Sequence, residues 1–122
     1  MLNMETLEKF GLDTAEGLTY CADDPEFYEE MILEYLNESA DRVEEMERFY
    51  GLRNWERYGI CAHSLKNTSR MIGAKLLSEQ AHELELACKV NDEVLIDSVH
   101  ERFIKKYIEL TDCLHEEAGL VR

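Results

Sequence analysis

The chain has 122 residues, 45% of them hydrophobic, which is enough for one core and too few for two cores of ordinary size. One proline and six glycines leave little material for turns, so an all-α fold is expected. The formal net charge of -14 argues against a nucleic-acid or anionic-membrane surface, because both targets would be repelled. We therefore expect a single domain over residues 1–122 that binds neither nucleic acid nor a membrane.

The four cysteines are widely spaced and form no C-x-x-C pair. They fall mostly at apolar positions of helical patterns, which favours reduced, buried thiols and a cytoplasmic location. The first ten residues carry acids rather than a basic region followed by an apolar run. Neither a signal peptide nor a transmembrane span is expected.

Capping signals divide the chain into short N-terminal helices and four long helices. One short helix is expected at residues 4–10, and a second between an Asp13 cap and Tyr20. Asp24-Pro25 marks a helix start, because Asp accepts orphan amide hydrogens and Pro has none at the first helical position. The long helices are predicted at residues 25–50, 54–72, 74–90 and 93–118, with stops at Gly51, Gly73, Asn91 and Gly119.

Each long helix carries apolar residues at three- and four-residue spacing, which is typical of helices in a bundle. The tight turn at Gly73 makes the two helices around it antiparallel neighbours. The pattern predicts an antiparallel up-down four-helix bundle with one or two short N-terminal helices, and we expect a monomer.

His63 lies about 100° around its helix from the inward residue Ala62, at the border between the buried and the solvent-exposed face. Gly59 and Asn67 stand one turn before and one turn after it, so the surrounding surface is low. Lys66 adds a cation at i+3. The surface of another protein could therefore approach His63 closely.

The turn at Gly73 should bring His82 and Glu85 to the side of the next helix that adjoins His63. Either residue could hydrogen-bond one ring nitrogen and leave the other free as a nucleophile. A neutral imidazole beside a cation suits transient phosphoryl transfer. The sequence has no G-x-x-x-x-G-K-[ST] motif for ATP, so the phosphoryl group would come from another protein and no catalytic turnover or cofactor is expected.

The run His63-Ser64-Leu65-Lys66-Asn67, followed by Ile72-Gly73-Ala74 and then by Leu77, Ala81 and Leu84-Glu85, resembles the histidine-containing phosphotransfer (HPt) domain family. The family pattern is H-x-L-K-G-x(4,5)-G-A with a spaced L, A and L-E, and the resemblance covers about residues 12 to 115. It implies that His63 is phosphorylated, that Lys66 assists, and that the fold is an antiparallel four-helix bundle. It also implies a relay between the receiver domains of a hybrid sensor kinase and a response regulator.

Asn67 departs from the family pattern, which usually has Gly at this position so that a receiver domain can approach closely. The departure bears on partner choice or transfer rate. Cations are concentrated nearby: residues 53–75 carry a local charge of +4, from Arg53, Arg57, Lys66, Arg70 and Lys75 against Glu56. Taken with the resemblance, this charge favours docking on the carboxylates of a receiver domain, with Arg70 as a contact.

Two other interpretations remain open. A degenerate family member would bind a receiver domain without transferring a phosphoryl group. A metal-binding bundle is the third possibility, because three acid-x-x-His pairs place a carboxylate and an imidazole on one helical face. These pairs are Glu79 with His82, Asp97 with His100, and Asp112 with His115; most of them flank the apolar stripes, so no metal site is expected.

Overall fold

The computed structural model describes residues 2–119, and this part of the chain forms six α-helices joined by short turns. The prediction of an all-α fold is confirmed. The helices are α1 (Met4–Lys9), α2 (Thr14–Tyr20), α3 (Pro25–Gly51), α4 (Trp55–Met71), α5 (Lys75–Lys89) and α6 (Glu93–Glu117).

Side-chain caps set the start of most helices. A cap side chain accepts a hydrogen bond from a backbone N–H of the first turn, which would otherwise lack a partner. The predicted caps Asp13 and Asp24 act in this way for α2 and α3, and Pro25 occupies the first turn of α3. Asn3, Asn54 and Asp92 do the same for α1, α4 and α6. The helix bounds therefore agree with the predicted ones to within about a residue.

The end of α3 differs from the prediction, because Gly51 is still helical. The left-handed residue that ends the helix is Arg53, with φ of 57°. Its N–H donates to the Tyr50 carbonyl at 3.1 Å, and the next N–H, of Asn54, donates to the Phe49 carbonyl at 3.0 Å. The Arg53 side chain forms a 2.7 Å ion pair with Asp97 of α6.

Helices α3 and α4 run in opposite directions. The Tyr28 hydroxyl, at the start of α3, donates to the carbonyl of Ile72 just past the end of α4, at 2.8 Å. At the opposite ends of the two helices, the rings of Tyr50 and Trp55 are 6.1 Å apart. A second link to the same turn comes from α2, where the N–H of its cap Asp13 donates to a carbonyl of that turn, Gly73 O, at 2.8 Å.

The remaining contacts complete the bundle. α4 packs on α5, α5 on α6, and α6 on α3. The α3–α6 pair also runs in opposite directions, since the rings of Tyr35 and Tyr107 are 5.6 Å apart while Tyr50 donates to Asp97 near the other end. Each long helix therefore contacts two others around a shared core.

The core contains most of the predicted inward residues. The apolar residues at three- and four-residue spacing on α4 and α5 are all buried: Trp55, Tyr58, Ala62, Leu65 and Ile72 on the first stripe, and Ala74, Leu77, Ala81, Leu84 and Cys88 on the second. On α3 and α6, the residues Val43, Tyr50 and Leu110, which have the same spacing, are only partly buried. Cys21, Cys61 and Cys88 are buried free thiols, as expected, while Cys113 is partly exposed. Within residues 2–119, none of the helices combines the length and hydropathy needed to cross a bilayer.

Candidate functional site

His63 lies in the middle of α4 with 55% of its side chain exposed. Its neighbours Ala62 and Leu65 are fully buried in the core. Because successive helical residues turn by about 100°, this burial holds the imidazole at the edge of the bundle with part of its ring in solvent. The structure thus places His63 at the border that the sequence indicates.

Glu85 of α5 connects the two charged residues of the site. One of its carboxylate oxygens, Oε2, lies 2.5 Å from His63 Nδ1, and the other, Oε1, lies 2.7 Å from Lys66 Nζ. The Glu85 side chain is only 9% exposed. The register of the two helices is fixed nearby, where the Ser78 hydroxyl donates to the Lys66 carbonyl at 2.8 Å. The tight Gly73 turn therefore brings Glu85, one of the two predicted candidates, to the imidazole.

The protonation of this cluster follows from the charge on Glu85. Burial alone would raise the pKa of Glu85, but hydrogen bonds from Lys66 and His63 and their charges lower it to about 2. An ionised carboxylate only accepts hydrogen bonds, so Nδ1 of His63 must carry the proton that it shares with Glu85. In the neutral ring, Nε2 then bears an unshared electron pair.

Lys66 is held at the Nδ1 side of the imidazole. Its side chain is 14% exposed, and its ammonium is bound to the same carboxylate that accepts from Nδ1. The ammonium therefore neutralises Glu85 in this structure, and the contact with Nε2 is made by a different residue.

His82, the other residue predicted to support His63, lies at the margin of the cluster. Its Nδ1 is 3.6 Å from Glu85 Oε1, which is too long for a hydrogen bond, and its side chain is 51% exposed. Of the two candidates, Glu85 orients the imidazole and His82 does not contact it.

Asn67 contacts the Nε2 edge of the His63 ring. Its Nδ2 lies 3.4 Å from His63 Nε2, and both residues are exposed. The i+4 spacing places the two side chains side by side on α4, but it did not indicate a hydrogen bond between them. Arg70, one turn further along α4, is also exposed and lines a shallow depression with Lys75 and His82.

Gly59 has a packing role in addition to keeping the surface low. A Cβ atom at this position would lie 3.2 Å from the Cβ of Cys88, so glycine allows α4 and α5 to approach closely. An apolar groove of about 460 Å³ runs along this contact up to His63 and Glu85, and it is also lined by Trp55 and Ile60.

The local charge of +4 is largely cancelled by neighbouring helices, contrary to its interpretation as a docking charge. Arg53 pairs with Asp97 and Glu93, Lys66 with Glu85, and Lys75 with Asp13 and Glu16. Within residues 2–119, the cations of this segment that make no ion pair are Arg57 and Arg70. Every one of these acids lies outside residues 53–75, so the ion pairs are not visible in the charge of that segment alone.

The acid-x-x-His pairs do not converge on a metal site. His100 is buried and contacts Tyr58 and Glu47, with its Nδ1 2.6 Å from the Tyr58 hydroxyl and its Nε2 2.5 Å from Glu47. Burial lowers the pKa of His100, although Glu47 opposes the shift. Asp97 accepts hydrogen bonds from Tyr50 and Arg53. Over residues 2–119, no group of three or more His, Cys, Asp or Glu side chains is arranged to hold a metal ion.

Helices packed as a bundle with an exposed histidine are what the resemblance led us to expect. A family model described as the Hpt domain matches residues 30–118. The chain therefore belongs to the Hpt domain family. Comparison with curated proteins and with solved structures gave no match.

Membership of this family carries a general function. Hpt domains are phosphotransfer intermediates of two-component signalling, and they interact with the receiver domains of response regulators and kinases. The match includes the whole of α4 and α5, and so all the residues described around His63.

Proposed function

We propose that His63 accepts a phosphoryl group on Nε2 from the receiver domain of a hybrid sensor kinase and passes it to the receiver domain of a response regulator. The observation that carries this proposal is the contact between Nδ1 and the ionised Glu85. It fixes the proton on Nδ1, so that the electron pair that would attack phosphorus lies on Nε2, at the exposed edge of the ring.

The chemical step needs no base at Nε2. The electron pair of Nε2 forms the N–P bond while the P–O bond of the receiver's aspartyl phosphate breaks, and the aspartate leaves as a carboxylate. The phosphorylated ring then carries a positive charge with its proton still on Nδ1. Glu85, which is buried and ionised, stabilises this charge. The reverse reaction on a second receiver domain regenerates the neutral imidazole.

Lys66 can interact with the phosphoryl group once that group brings negative charge to Nε2. The phosphoryl group competes with Glu85 for the ammonium, and the two anions lie on opposite sides of the imidazole. We propose that Lys66 shifts toward the phosphoryl oxygens once the N–P bond has formed, where the ammonium stabilises the negative charge of the phosphorylated form.

The apolar groove beside His63 supports docking of a receiver domain. Trp55, Gly59 and Ile60 of α4 line it, and 56% of Ile60 is exposed. Arg70 adds a cation without an ion pair within residues 2–119, which suits the acidic surface around a receiver's phosphoacceptor. We further propose that residues 1–122 act as one monomeric unit in the cytoplasm, without a cofactor and without catalytic turnover.

A receiver-binding domain that does not transfer is the second candidate. It is favoured by the Asn67 amide, which contacts the electron pair of Nε2 and must move before that nitrogen can attack.

A relay reconstituted from hybrid-kinase receivers, response regulators and this protein tests the two functions. We expect an acid-labile phosphoryl label on the wild type and none on His63→Gln. His115→Gln, a partly buried histidine of α6, is the matched control and should be labelled like the wild type. Receiver binding without any label on the wild type would support the second candidate and refute the first.

A further inference from the structure

The nucleophilic nitrogen of His63 has a neighbour that donates hydrogen bonds. Since Nδ1 carries the proton, Nε2 is an acceptor, and the amide group of Asn67 at 3.4 Å meets it as a donor through Nδ2–H. The two residues are one helical turn apart on α4, so the contact needs no adjustment of the backbone.

Lys66, the cation that the resemblance assigns to assist His63, does not contact Nε2. Lys66 Nζ is bound to Glu85 Oε1 at 2.7 Å, and that carboxylate lies at Nδ1. Within residues 2–119, the side-chain donor that contacts Nε2 is Asn67. When Nε2 carries a phosphoryl group, its oxygens occupy the space that this amide now faces.

We propose that Asn67 is a phosphoryl-binding residue that prolongs the life of phosphorylated His63. This inference rests on the proposed function, because it concerns the phosphorylated form of the same histidine. The Nδ2–H group of Asn67 leaves Nε2 when the N–P bond forms and then donates to a phosphoryl oxygen. Hydrogen bonds to charged acceptors are stronger than those to neutral ones, so the amide favours the phosphorylated form.

The effect on hydrolysis follows from the charge on the phosphoryl oxygens. During hydrolysis the N–P bond breaks, its electron pair returns to Nε2, and water bonds to phosphorus to give inorganic phosphate. In a loose transition state the departing group resembles metaphosphate, which carries less negative charge than the bound phosphoryl group. A donor such as the Asn67 amide therefore stabilises the bound state more than the transition state and slows the loss of phosphate.

Asn67 also acts before phosphorylation. In the free protein its hydrogen bond covers the electron pair that must attack phosphorus. Removing the amide should therefore speed both the gain and the loss of the phosphoryl group. A residue that acts only by occupying space near a docking partner would change neither rate in the absence of a partner.

The test uses phosphoramidate, a small phosphoryl donor that requires no partner protein. Its N–P bond breaks as Nε2 bonds to phosphorus, and ammonia leaves after taking a proton from water. Intact mass and the 31P signal of the full chain follow the gain of label, and its loss is followed after the reagent is removed. The variants are Asn67→Ala, Asn67→Asp and the control Asn37→Ala, an exposed asparagine within α3.

We expect Asn67→Ala to gain label faster and to lose it about three times faster than the wild type, because an exposed hydrogen bond to a charged group is lost. Asn67→Asp keeps the size of the side chain but brings a negative charge, so it should gain label more slowly and lose it fastest of all. Asn37→Ala should match the wild type in both rates.

Equal lifetimes in the wild type and Asn67→Ala, or a wild-type lifetime in Asn67→Asp, would overturn the inference and leave the proposed function standing. If phosphoramidate gives these lifetimes but no receiver domain exchanges the label with His63, the proposed relay fails and the role of Asn67 stands. If the wild type takes no label from phosphoramidate or from a receiver, both fail.

Discussion

Replacing Glu85 by Gln removes one negative charge from the buried cluster and leaves its shape nearly unchanged. The pKa of this carboxyl lies at about 2 in the folded protein, against an ordinary value of 4.5. Because the folded value is the lower one, Glu85 contributes stability that is fully present above pH 4.5 and is lost as the pH falls toward 2. The whole shift corresponds to about 3 kcal/mol of unfolding free energy, and about 2 kcal/mol of this is lost by pH 3.

Urea unfolding followed by circular dichroism at several pH values between 7 and 3 measures this contribution. We expect Glu85→Gln to be less stable than the wild type at pH 7, and the difference to shrink by about 2 kcal/mol by pH 3. Other carboxylates titrate in both proteins and cancel in the comparison. Glu83→Gln, an exposed position on the same helix, should follow the wild type throughout. A difference between Glu85→Gln and the wild type that stays constant with pH would refute the link between the cluster and the low pKa.

Two further changes test the packing around the site. Gly73→Ala should lower the unfolding free energy by at least about 2 kcal/mol, because φ is 85° and the added Cβ would overlap the carbonyl of Asp13. Gly51→Ala, with open space around it, should be neutral or slightly stabilising; equal effects of the two would contradict this reasoning. Tyr58→Phe should cost about 1–2 kcal/mol, because it leaves the buried Nδ1 of His100 without its hydrogen-bond partner. The control for Tyr58→Phe is Tyr107→Phe, because Tyr107 is a buried tyrosine whose hydroxyl makes no hydrogen bond within residues 2–119; its unfolding free energy should change little. Urea unfolding measures all four variants.

The fold was largely predictable because its determinants are local. Caps such as Asp13 and Asp24 act within three residues of themselves, and apolar stripes repeat along single helices. The stop predicted at Gly51 falls one residue too early, because Gly51 is still helical. The left-handed residue after α3 is Arg53, which is not a residue type that favours this backbone, so the sequence pattern pointed to the glycine instead.

The contacts of the candidate site were likewise predictable only in part. Glu85 was predictable because one tight turn and the helical repeat fix its position opposite His63. The hydrogen bond from Asn67 to Nε2 depends on side-chain rotamers and on the protonation of the ring, which spacing alone does not determine. The cancellation of the positive segment was not predictable by a local count, because Lys75 is neutralised by acids at residues 13 and 16.

The turn after α4 is tied to a part of the chain that lies before the family match. The carbonyls of Ile72 and Gly73 accept hydrogen bonds from the Tyr28 hydroxyl and the Asp13 amide, and both donors precede residue 30. Releasing the N-terminal segment would strand these two acceptors and loosen the last turn of the helix that carries His63. In hydrogen exchange, we therefore expect α2 and the C-terminal end of α4 to open together as one cooperative unit. Opening of the N-terminal segment would thereby lower the stability of the helix that carries His63, at a distance from the histidine itself.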